Sequence, residues 1–274
     1  MSRVILPFKN KLVYPGTSPG FDPSHPASKG CVWSAIAVGG TAINICNAKI
    51  GSVISSAPTA VIDSHFGMAD KFTGVFSNGI QFTSAIPAVT QNNCTMACII
   101  RPADNGATGT RMYIATATSA TQGWWMGTTG TGSISLGLFV AGALSSNIAP
   151  NFIPIVGTPY FIALSIINTS GSTYTTNWVI KELNTGKLYT YSVSGSTTLA
   201  ASDGGVVFAG SVYIGDCFGN MATNMFTDKV ALSLPELVKW SEDPWSFWYP
   251  HPDLALFTLS KAAIADVLMA QILL

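Results

Sequence analysis

Charged residues are scarce in this chain of 274 residues, because Asp, Glu, Lys and Arg together make up only 9% of it. Ordinary soluble proteins carry about 25%. The formal net charge is zero, which gives no electrostatic reason to expect nucleic acid, an anionic membrane or an acidic substrate as a partner. Gly, Ser, Thr, Asn and Pro supply the polarity instead. This mixture is typical of turn-rich β proteins and of subunits covered by their neighbours.

Glutamate and histidine are too few to suggest an active site. The glutamates are Glu182, Glu236 and Glu242, and the histidines are His25, His65 and His251. A retaining glycosidase needs two carboxyl groups about 5–5.5 Å apart, but no glutamate here has an acidic residue two positions away. No G-x-S-x-G elbow accompanies the histidines, and His25 is expected to be a turn residue. We therefore predict that the chain is not an enzyme.

Long apolar runs are also missing. No stretch approaches the roughly 18–20 apolar residues that span a bilayer, and residues 1–16 lack the apolar core of a secretory signal. We therefore expect synthesis in a cytoplasm and no membrane partner.

The five cysteines are odd in number and have no spacing typical of a disulfide framework. They are predicted to be buried free thiols. Cys94 and Cys98 would share one face of a strand, but a zinc site would need further ligands. No cofactor is predicted.

Short apolar segments separated by turn residues fill most of the chain. Strands are predicted at 80–82, 94–100, 124–127, 134–140 and 160–167, with no long helical pattern before residue 233. Many short strands at roughly 8–12-residue spacing favour an all-β sandwich or jelly roll. Further along, Asn184-Thr185-Gly186 predicts a hairpin loop with Gly186 in the left-handed region. Glu182 and Lys181 beside it are expected to form a solvated pair.

The segment 232–250 combines a helix signal with a cluster of aromatic residues. Ser233 and Glu236 stand at the capping-box spacing. A helix is therefore predicted to begin at residue 234 or 235 and to end near residue 242, since Pro244 disfavours helical geometry before it. Such a short helix is not stable alone in water. We predict that it docks on the sandwich with a structural plug formed by Trp245, Phe247, Trp248 and Tyr249.

One C-terminal pattern consists of Ala231, Leu232, Ser233, Glu236, Leu237, Asp243, Pro244, Trp245, Trp248 and Pro250. It resembles the laminin-G-like, concanavalin-A-like jelly rolls of virion proteins from tailed bacteriophages and prophages. Pro19–Gly30 is similar to the opening of that group. Gly123-Trp124-Trp125 and Tyr213-Ile214-Gly215 fall where such domains carry strands. The resemblance covers roughly residues 15–250, and the E-x-D-x-E motif of related glucanases is missing.

The resemblance implies an all-β, concanavalin-A-like (laminin-G-like) jelly-roll sandwich over residues 31–250. Residues 1–30 would form an extended N-terminal arm, and residues 251–274 a tail with a short apolar helix. The implied function is that of a structural virion protein, made in the cytoplasm of the bacterial host: a capsid-decoration, fibre, tail or baseplate accessory subunit. Its partners would be other virion proteins and copies of itself, with a trimer favoured. The alternative is a lectin-like carbohydrate-binding module that contacts host surface glycans.

Two groups of residues are predicted to form interfaces. In the C-terminal tail, Ile264, Val267, Leu268 and Ile272 follow helical spacing, and the helix would be apolar nearly all round. Either its own domain or a neighbouring subunit would cover it. Trp124 and Trp125 are adjacent on a strand and must face opposite sides. One should lie in the core, and the other should be exposed as an intersubunit anchor or as a platform for a sugar ring.

Calcium is the one metal that such sandwiches suggest, as a structural ion. Its candidate ligands are Asp63, Asp203, Asp216 and Asp228, because each lies in a predicted loop or strand end. The alternative is that these aspartates make turn hydrogen bonds.

Overall fold

The computed structural model describes residues 21–22, 24–37, 40–47, 49–65, 67–73, 78–83, 93–104, 109–116, 123–140, 143–170, 173–196, 207–209 and 217–248. The strands within these ranges are β1 (Cys31–Ala37), β2 (Ala42–Asn44), β3 (Lys49–Ile50), β4 (Ser52–Ser55), β5 (Thr59–Asp63), β6 (Gly67–Thr73), β7 (Asn78–Phe82), β8 (Asn93–Pro102), β9 (Arg111–Ala115), β10 (Gly123–Thr128), β11 (Ile134–Val140), β12 (Ala143–Ile148), β13 (Tyr160–Ser170), β14 (Thr173–Glu182), β15 (Leu188–Ser196), β16 (Val207–Ala209) and β17 (Phe218–Asp228). The helices are α1 (Leu234–Glu242) and two 3-10 helices, Pro26–Gly30 and Ser246–Trp248.

The strands form two sheets. The larger has ten strands in the order β15-β14-β13-β8-β17-β1-β2-β3, with β6 beside β17 and β5 beside β6. The smaller has seven in the order β12-β11-β10-β9-β16-β7-β4. Neighbouring strands run antiparallel, as in β13, whose Tyr160 to Ile167 pairs residue by residue with β8. The predicted all-β sandwich is confirmed.

The ten-stranded sheet is buried on both faces at its centre. On β13 and β14, Ile162, Leu164 and Trp178 face the core between the sheets. The alternate residues Phe161 and Val179 face outward into a second apolar cluster. Because both faces are covered, the strand reads as a nearly continuous apolar run instead of an alternating one.

Trp124 and Trp125 are both buried, at 0% and 2% exposure. Trp124 lies in the core between the sheets and stacks on Phe226, with ring centroids 4.9 Å apart. Trp125 points to the other face of β10 and lies directly against Gly137 of β11, where an added Cβ would come within 2.1 Å of the indole. The prediction that one of the two is exposed is therefore wrong, because a neighbouring glycine lets the second indole pack closely onto its own sheet.

The β14–β15 hairpin forms as predicted. Gly186 has a φ of +76°, and its N–H donates to the carbonyl of Glu182 over 2.9 Å. The predicted solvated pair of Glu182 with Lys181 is wrong, since Glu182 is only 6% exposed. Its carboxylate accepts hydrogen bonds from the hydroxyls of Thr185 (2.6 Å) and Tyr189 (2.8 Å). Adjacent residues of a strand point to opposite faces, so Lys181 projects away from it.

Helix α1 has the predicted bounds and covers the outer face of the ten-stranded sheet. The backbone N–H and the hydroxyl of Ser233 both donate to Glu236 Oε2 over 2.7 Å. These hydrogen bonds from Ser233 lower the pKa of the Glu236 carboxyl. The helix buries Leu237 and Trp240 against the sheet, and Trp240 packs edge-on against Phe161 of β13 at 5.2 Å.

An outer aromatic layer, which we define as Trp240, Trp245, Phe247 and Trp248, completes this cover; all four side chains are buried. Trp248 Nε1 donates to the Ser34 hydroxyl of β1 over 2.9 Å, which fixes the layer to the sheet. The last predicted plug residue, Tyr249, lies outside the described residues.

Part of the predicted N-terminal arm packs against this layer. Phe21 stacks on Phe247 at 5.6 Å, and residues 26–30 form a 3-10 helix instead of an extended strap. His25 caps that helix, because its Nδ1 accepts the N–H of Ala27 over 3.2 Å. Its ring packs edge-on against Trp240, and burial lowers the pKa of His25 to about 4. Residues 1–20 and the tail 251–274 lie outside the described ranges.

Candidate functional site

A pocket of about 350 Å³ opens at the edge of the outer aromatic layer. We call it the plug pocket and define it by its lining residues His65, Lys181, Leu183, Glu242, Asp243, Pro244 and Trp245. The turn after β5 supplies the histidine, the β14–β15 hairpin supplies the lysine and the leucine, and the end of α1 supplies the rest. The pocket is therefore built from three segments that are far apart in sequence.

Lys181 links the hairpin to the helix. Its Nζ donates to the carbonyl of Ser241, in the last turn of α1, over 2.6 Å. A cation is favourable there because the C-terminus of a helix carries partial negative charge and unpaired carbonyls. The contact fixes one wall of the pocket and leaves two further ammonium protons for other acceptors.

The turn at the end of α1 shapes the opposite wall. Asp243 Oδ1 accepts the backbone N–H of Trp245 over 3.2 Å, and the Asp243 carbonyl accepts the N–H of Ser246 over 3.0 Å. Glu242 and Asp243 are exposed at the mouth. Trp245 is only 4% exposed, so its indole contributes an apolar edge to the wall and no broad stacking surface.

An ion pair between a buried carboxylate, Asp63, and the half-buried Arg101 lies beside His65 and holds its turn. The Asp63 carboxylate accepts Arg101 Nη2 over 2.7 Å, Asn220 Nδ2 over 3.0 Å and the backbone N–H of His65 over 2.8 Å. The His65 ring in turn contacts Arg101 and lies 3.0 Å from the hydroxyl of Ser64. This network orders the turn, so the exposed His65 ring is held at the pocket edge.

The two predicted calcium ligands within the described residues, Asp63 and Asp228, do not come together. Asp63 makes the turn and ion-pair contacts just given, which is the alternative that the sequence left open. Asp228 lies eight residues beyond Asn220 on β17, or about 26 Å at 3.3 Å per residue. Asp203 and Asp216 lie outside the described residues. Within the described part of the chain, no cluster of three His, Cys, Asp or Glu residues could hold a metal ion.

The two predicted interface residues that the structure describes, Trp124 and Trp125, do not line the pocket. Ile264, Val267, Leu268 and Ile272 lie outside the described residues, and Trp124 and Trp125 are buried within the domain and cannot act as exposed anchors. Sequence reasoning missed His65 and Lys181 as pocket residues and used Pro244 only as a helix stop. In the described ranges, no helix has the length and apolarity needed to cross a bilayer.

No protein-family model and no curated protein sequence matches the chain. Solved structures do match. The botulinum neurotoxin serotype D binding domain aligns with a TM-score of 0.50 and 10% identity, over 81% of this chain and 52% of that one. The binding domain of botulinum neurotoxin DC in complex with SialylT aligns with a TM-score of 0.51 and 12% identity, over 78% and 51%.

A third match is a structure of botulinum neurotoxin type C, whose cell entry depends upon interaction with two ganglioside molecules. Its TM-score is 0.50 at 13% identity, over 78% of this chain and 51% of that one. The chain thus spans about half the length of these matching structures. At such low identity the likeness concerns the fold alone, and it confirms the predicted jelly-roll sandwich.

Proposed function

We propose that this protein is a lectin-like binding module and that the plug pocket binds an uncharged glycan. The main support for this proposal is the pocket itself, a cavity of about 350 Å³ with exposed hydrogen-bonding groups at its mouth and apolar groups in its wall. Binding pockets of small ligands are of this size and combine an apolar lining with a few polar groups. Two of the structures that share the fold involve SialylT and gangliosides as ligands, which supports a binding role.

The chemistry of the lining suits a sugar. Each sugar hydroxyl both donates and accepts hydrogen bonds. Glu242 and Asp243 offer acceptors only, and Lys181 offers donors only. Leu183 and the edge of Trp245 can cover the C–H groups of a sugar ring.

The charges favour an uncharged sugar over an anionic one. Two exposed carboxylates, Glu242 and Asp243, stand at the mouth, while the nearest cation, Lys181, already donates to Ser241. An anionic sugar would be repelled by both carboxylates and would have to compete for the lysine.

The test is a glycan array probed with the full chain, followed by titration of the strongest neutral oligosaccharide. We expect saturable binding to uncharged glycans and weaker binding to their sialylated forms. Glu242→Ala should weaken the affinity about tenfold, since a hydrogen bond to a charged group contributes about 1.5 kcal/mol. Lys239→Ala, an exposed change on the same helix outside the pocket, should leave the affinity unchanged.

An array without neutral hits would reject the proposal. So would a hit whose affinity is the same for the wild type and for Glu242→Ala, because that glycan would then bind elsewhere.

Assembly into a larger particle, as the virion resemblance implies, is the second candidate. It is favoured by an exposed apolar group formed by Ile153, Ile155 and Val156, each more than half exposed. The loop is held in place, because the N–H of Ile155 donates to the Tyr160 hydroxyl over 2.9 Å. Exposed apolar patches on a protein surface mark interaction sites.

Analytical ultracentrifugation tests this candidate. We expect a trimer that Ile155→Asp dissociates, whereas Lys187→Asp, on an exposed hairpin residue, should leave it intact. A wild-type chain that stays monomeric at all concentrations would reject self-assembly.

A further inference from the structure

Cys31 and Cys46 form a pair of thiols with their sulfur atoms 3.4 Å apart. Both residues are half-buried, whereas Cys94, Cys98 and Cys217 are fully buried. All five cysteines are free, as predicted, but the predicted burial is wrong for Cys31 and Cys46. Two accessible thiols in contact can react with a disulfide, and three buried ones cannot be reached without unfolding.

Two irregular features of the backbone bring these sulfur atoms together. Cys31 begins β1 where the register with β17 shifts between Cys31 and Trp33. Cys46 lies in the turn after β2. The side chain of Asn44 holds that turn, because its Oδ1 accepts the N–H of Cys46 over 3.1 Å and that of Ser34 over 3.2 Å. The buried amide of Asn44 thus sets the position of Cys46 opposite β1.

We propose that Cys31 and Cys46 are a thiol–disulfide exchange site, which forms a reversible intramolecular disulfide with a low-molecular-weight disulfide as oxidant. The sulfur atoms need to approach by only about 1.4 Å to reach the bond length of about 2.0 Å.

The roles of the two sulfur atoms differ. The hydrogen bond between the two sulfur atoms lowers the pKa of Cys46 and raises that of Cys31. Cys31 also donates its thiol proton to the carbonyl of Trp33 over 3.6 Å, which holds Cys31 in the protonated form. Cys46 is therefore assigned as the nucleophile, since the thiolate is the attacking form.

The exchange balances with oxidised glutathione as the co-reactant. The Cys46 thiolate attacks one sulfur of glutathione disulfide, whose S–S bond breaks, and the first glutathione leaves as a thiolate and takes up a proton. Cys31 then loses its proton to solvent and attacks the Cys46 sulfur, which expels the second glutathione. Two thiols of the protein are oxidised, and one glutathione disulfide is reduced to two glutathione thiols.

The bond would connect the first long strand of the ten-stranded sheet to the turn between β2 and the edge strand β3. It would close a loop between positions 15 residues apart. Closing such a loop restricts the unfolded chain more than the folded one, which stabilises the native state. The oxidised protein should therefore melt a few degrees higher than the reduced protein.

The test is equilibration of the full chain in mixtures of reduced and oxidised glutathione, with quenching by an alkylating reagent and peptide mass spectrometry. We expect the folded wild type to lose two hydrogen atoms and to yield one linked peptide that contains Cys31 and Cys46. The other three cysteines should be neither oxidised nor glutathionylated. Cys31→Ser should accumulate a glutathionyl group on Cys46 faster than Cys46→Ser accumulates one on Cys31. Cys98→Ala, a change at a buried cysteine, should still form the bond.

Three results would overturn the proposal. The folded wild type could stay fully reduced in oxidised glutathione, could carry glutathionyl groups on both cysteines without linking them, or could form only disulfide-linked dimers. Glycan binding plays no part in these readouts, so their outcome is independent of the proposed function.

Discussion

The two faces of the ten-stranded sheet are covered in different ways. Its inner face meets the seven-stranded sheet, so strands on both sides supply a continuous core that includes Trp124 and Phe226. Its outer face has no second sheet among the described residues. Short segments cover it instead: residues 21–22 and 24–30, helix α1 and the 3-10 helix Ser246–Trp248. On the outer face, large aromatic side chains such as Trp240 and Trp248 supply the apolar contact area that the second sheet supplies on the inner face.

This difference explains where the plug pocket lies. A sheet covers its partner along whole strands, whereas a two-turn helix ends abruptly and leaves space beyond its last residue. The pocket opens at that end, between Asp243 and the β14–β15 hairpin. The cover of the outer face therefore stabilises the sheet and forms the wall of the candidate site.

The largest expected effect comes from removing one large aromatic side chain from either face. Trp124→Ala and Trp240→Ala should each lower the free energy of unfolding by about 4 kcal/mol, the usual cost of such a truncation. Trp240 also loses the hydrogen bond from its Nε1 to the Pro244 carbonyl, 3.2 Å long. Urea unfolding followed by circular dichroism measures both values, and Lys239→Ala on the same helix should cost less than about 0.5 kcal/mol. A cost below about 1 kcal/mol for Trp240→Ala alone would mean that the outer layer is only loosely attached.

The inner face contains a buried carboxyl group that should make stability fall as the pH rises. Asp70 is 1% exposed, beside a cavity of about 10 Å³, and its Oδ1 accepts the N–H of Gly40 over 2.7 Å. Burial raises the pKa of Asp70 to about 7. The folded state therefore binds this proton more tightly than the unfolded state. Its contribution to stability is complete below pH about 4 and is lost as the pH rises to about 7.

Asp70→Asn should remove this loss. Relative to the wild type, the variant should gain about 4 kcal/mol between pH 4 and pH 8, from a pKa difference of about three units at about 1.4 kcal/mol each. Urea unfolding at a series of pH values measures the gain. If the free energy of unfolding depended on pH in the same way in the wild type and in the variant, the pKa of Asp70 would not be raised by folding.

The outer face should respond to pH in the opposite sense, by a smaller amount. The pKa of His25 is lowered to about 4 because its ring is buried against Trp240, so the unfolded state binds this proton more tightly. Its contribution to stability is present above pH about 6.5 and is lost as the pH falls toward 4. His25→Asn keeps a capping side chain and should abolish about 2 kcal/mol of destabilisation between pH 7 and pH 4.5.

This experiment is best carried out in the Asp70→Asn background, where the opposing change is absent. An acid loss of stability that persists in the double variant would contradict the assignment to His25.

The features that the sequence predicts correctly depend on local signals. The bounds of α1 follow from Ser233, Glu236 and Pro244, and the β14–β15 hairpin follows from Gly186, because capping and turn geometry involve neighbouring residues only. The sandwich follows from the spacing of short apolar segments.

The features that the sequence does not predict depend on contacts between distant segments. Strand alternation places Trp124 and Trp125 on opposite faces, but it does not reveal that Gly137 leaves room for the second indole. The contact of Cys31 with Cys46 depends on a shift in strand register. The plug pocket depends on the end of α1 meeting a turn more than 150 residues earlier in the chain. None of these has a signal in the residues nearby.

The central claim, that the cover of the outer face forms a glycan site, is tested most directly by hydrogen–deuterium exchange of the full chain with and without the strongest neutral oligosaccharide. We predict slower exchange in residues 64–65, 181–183 and 241–245, with no change in the loop 151–159. Unchanged exchange in those three segments, or protection confined to the loop, would contradict the account.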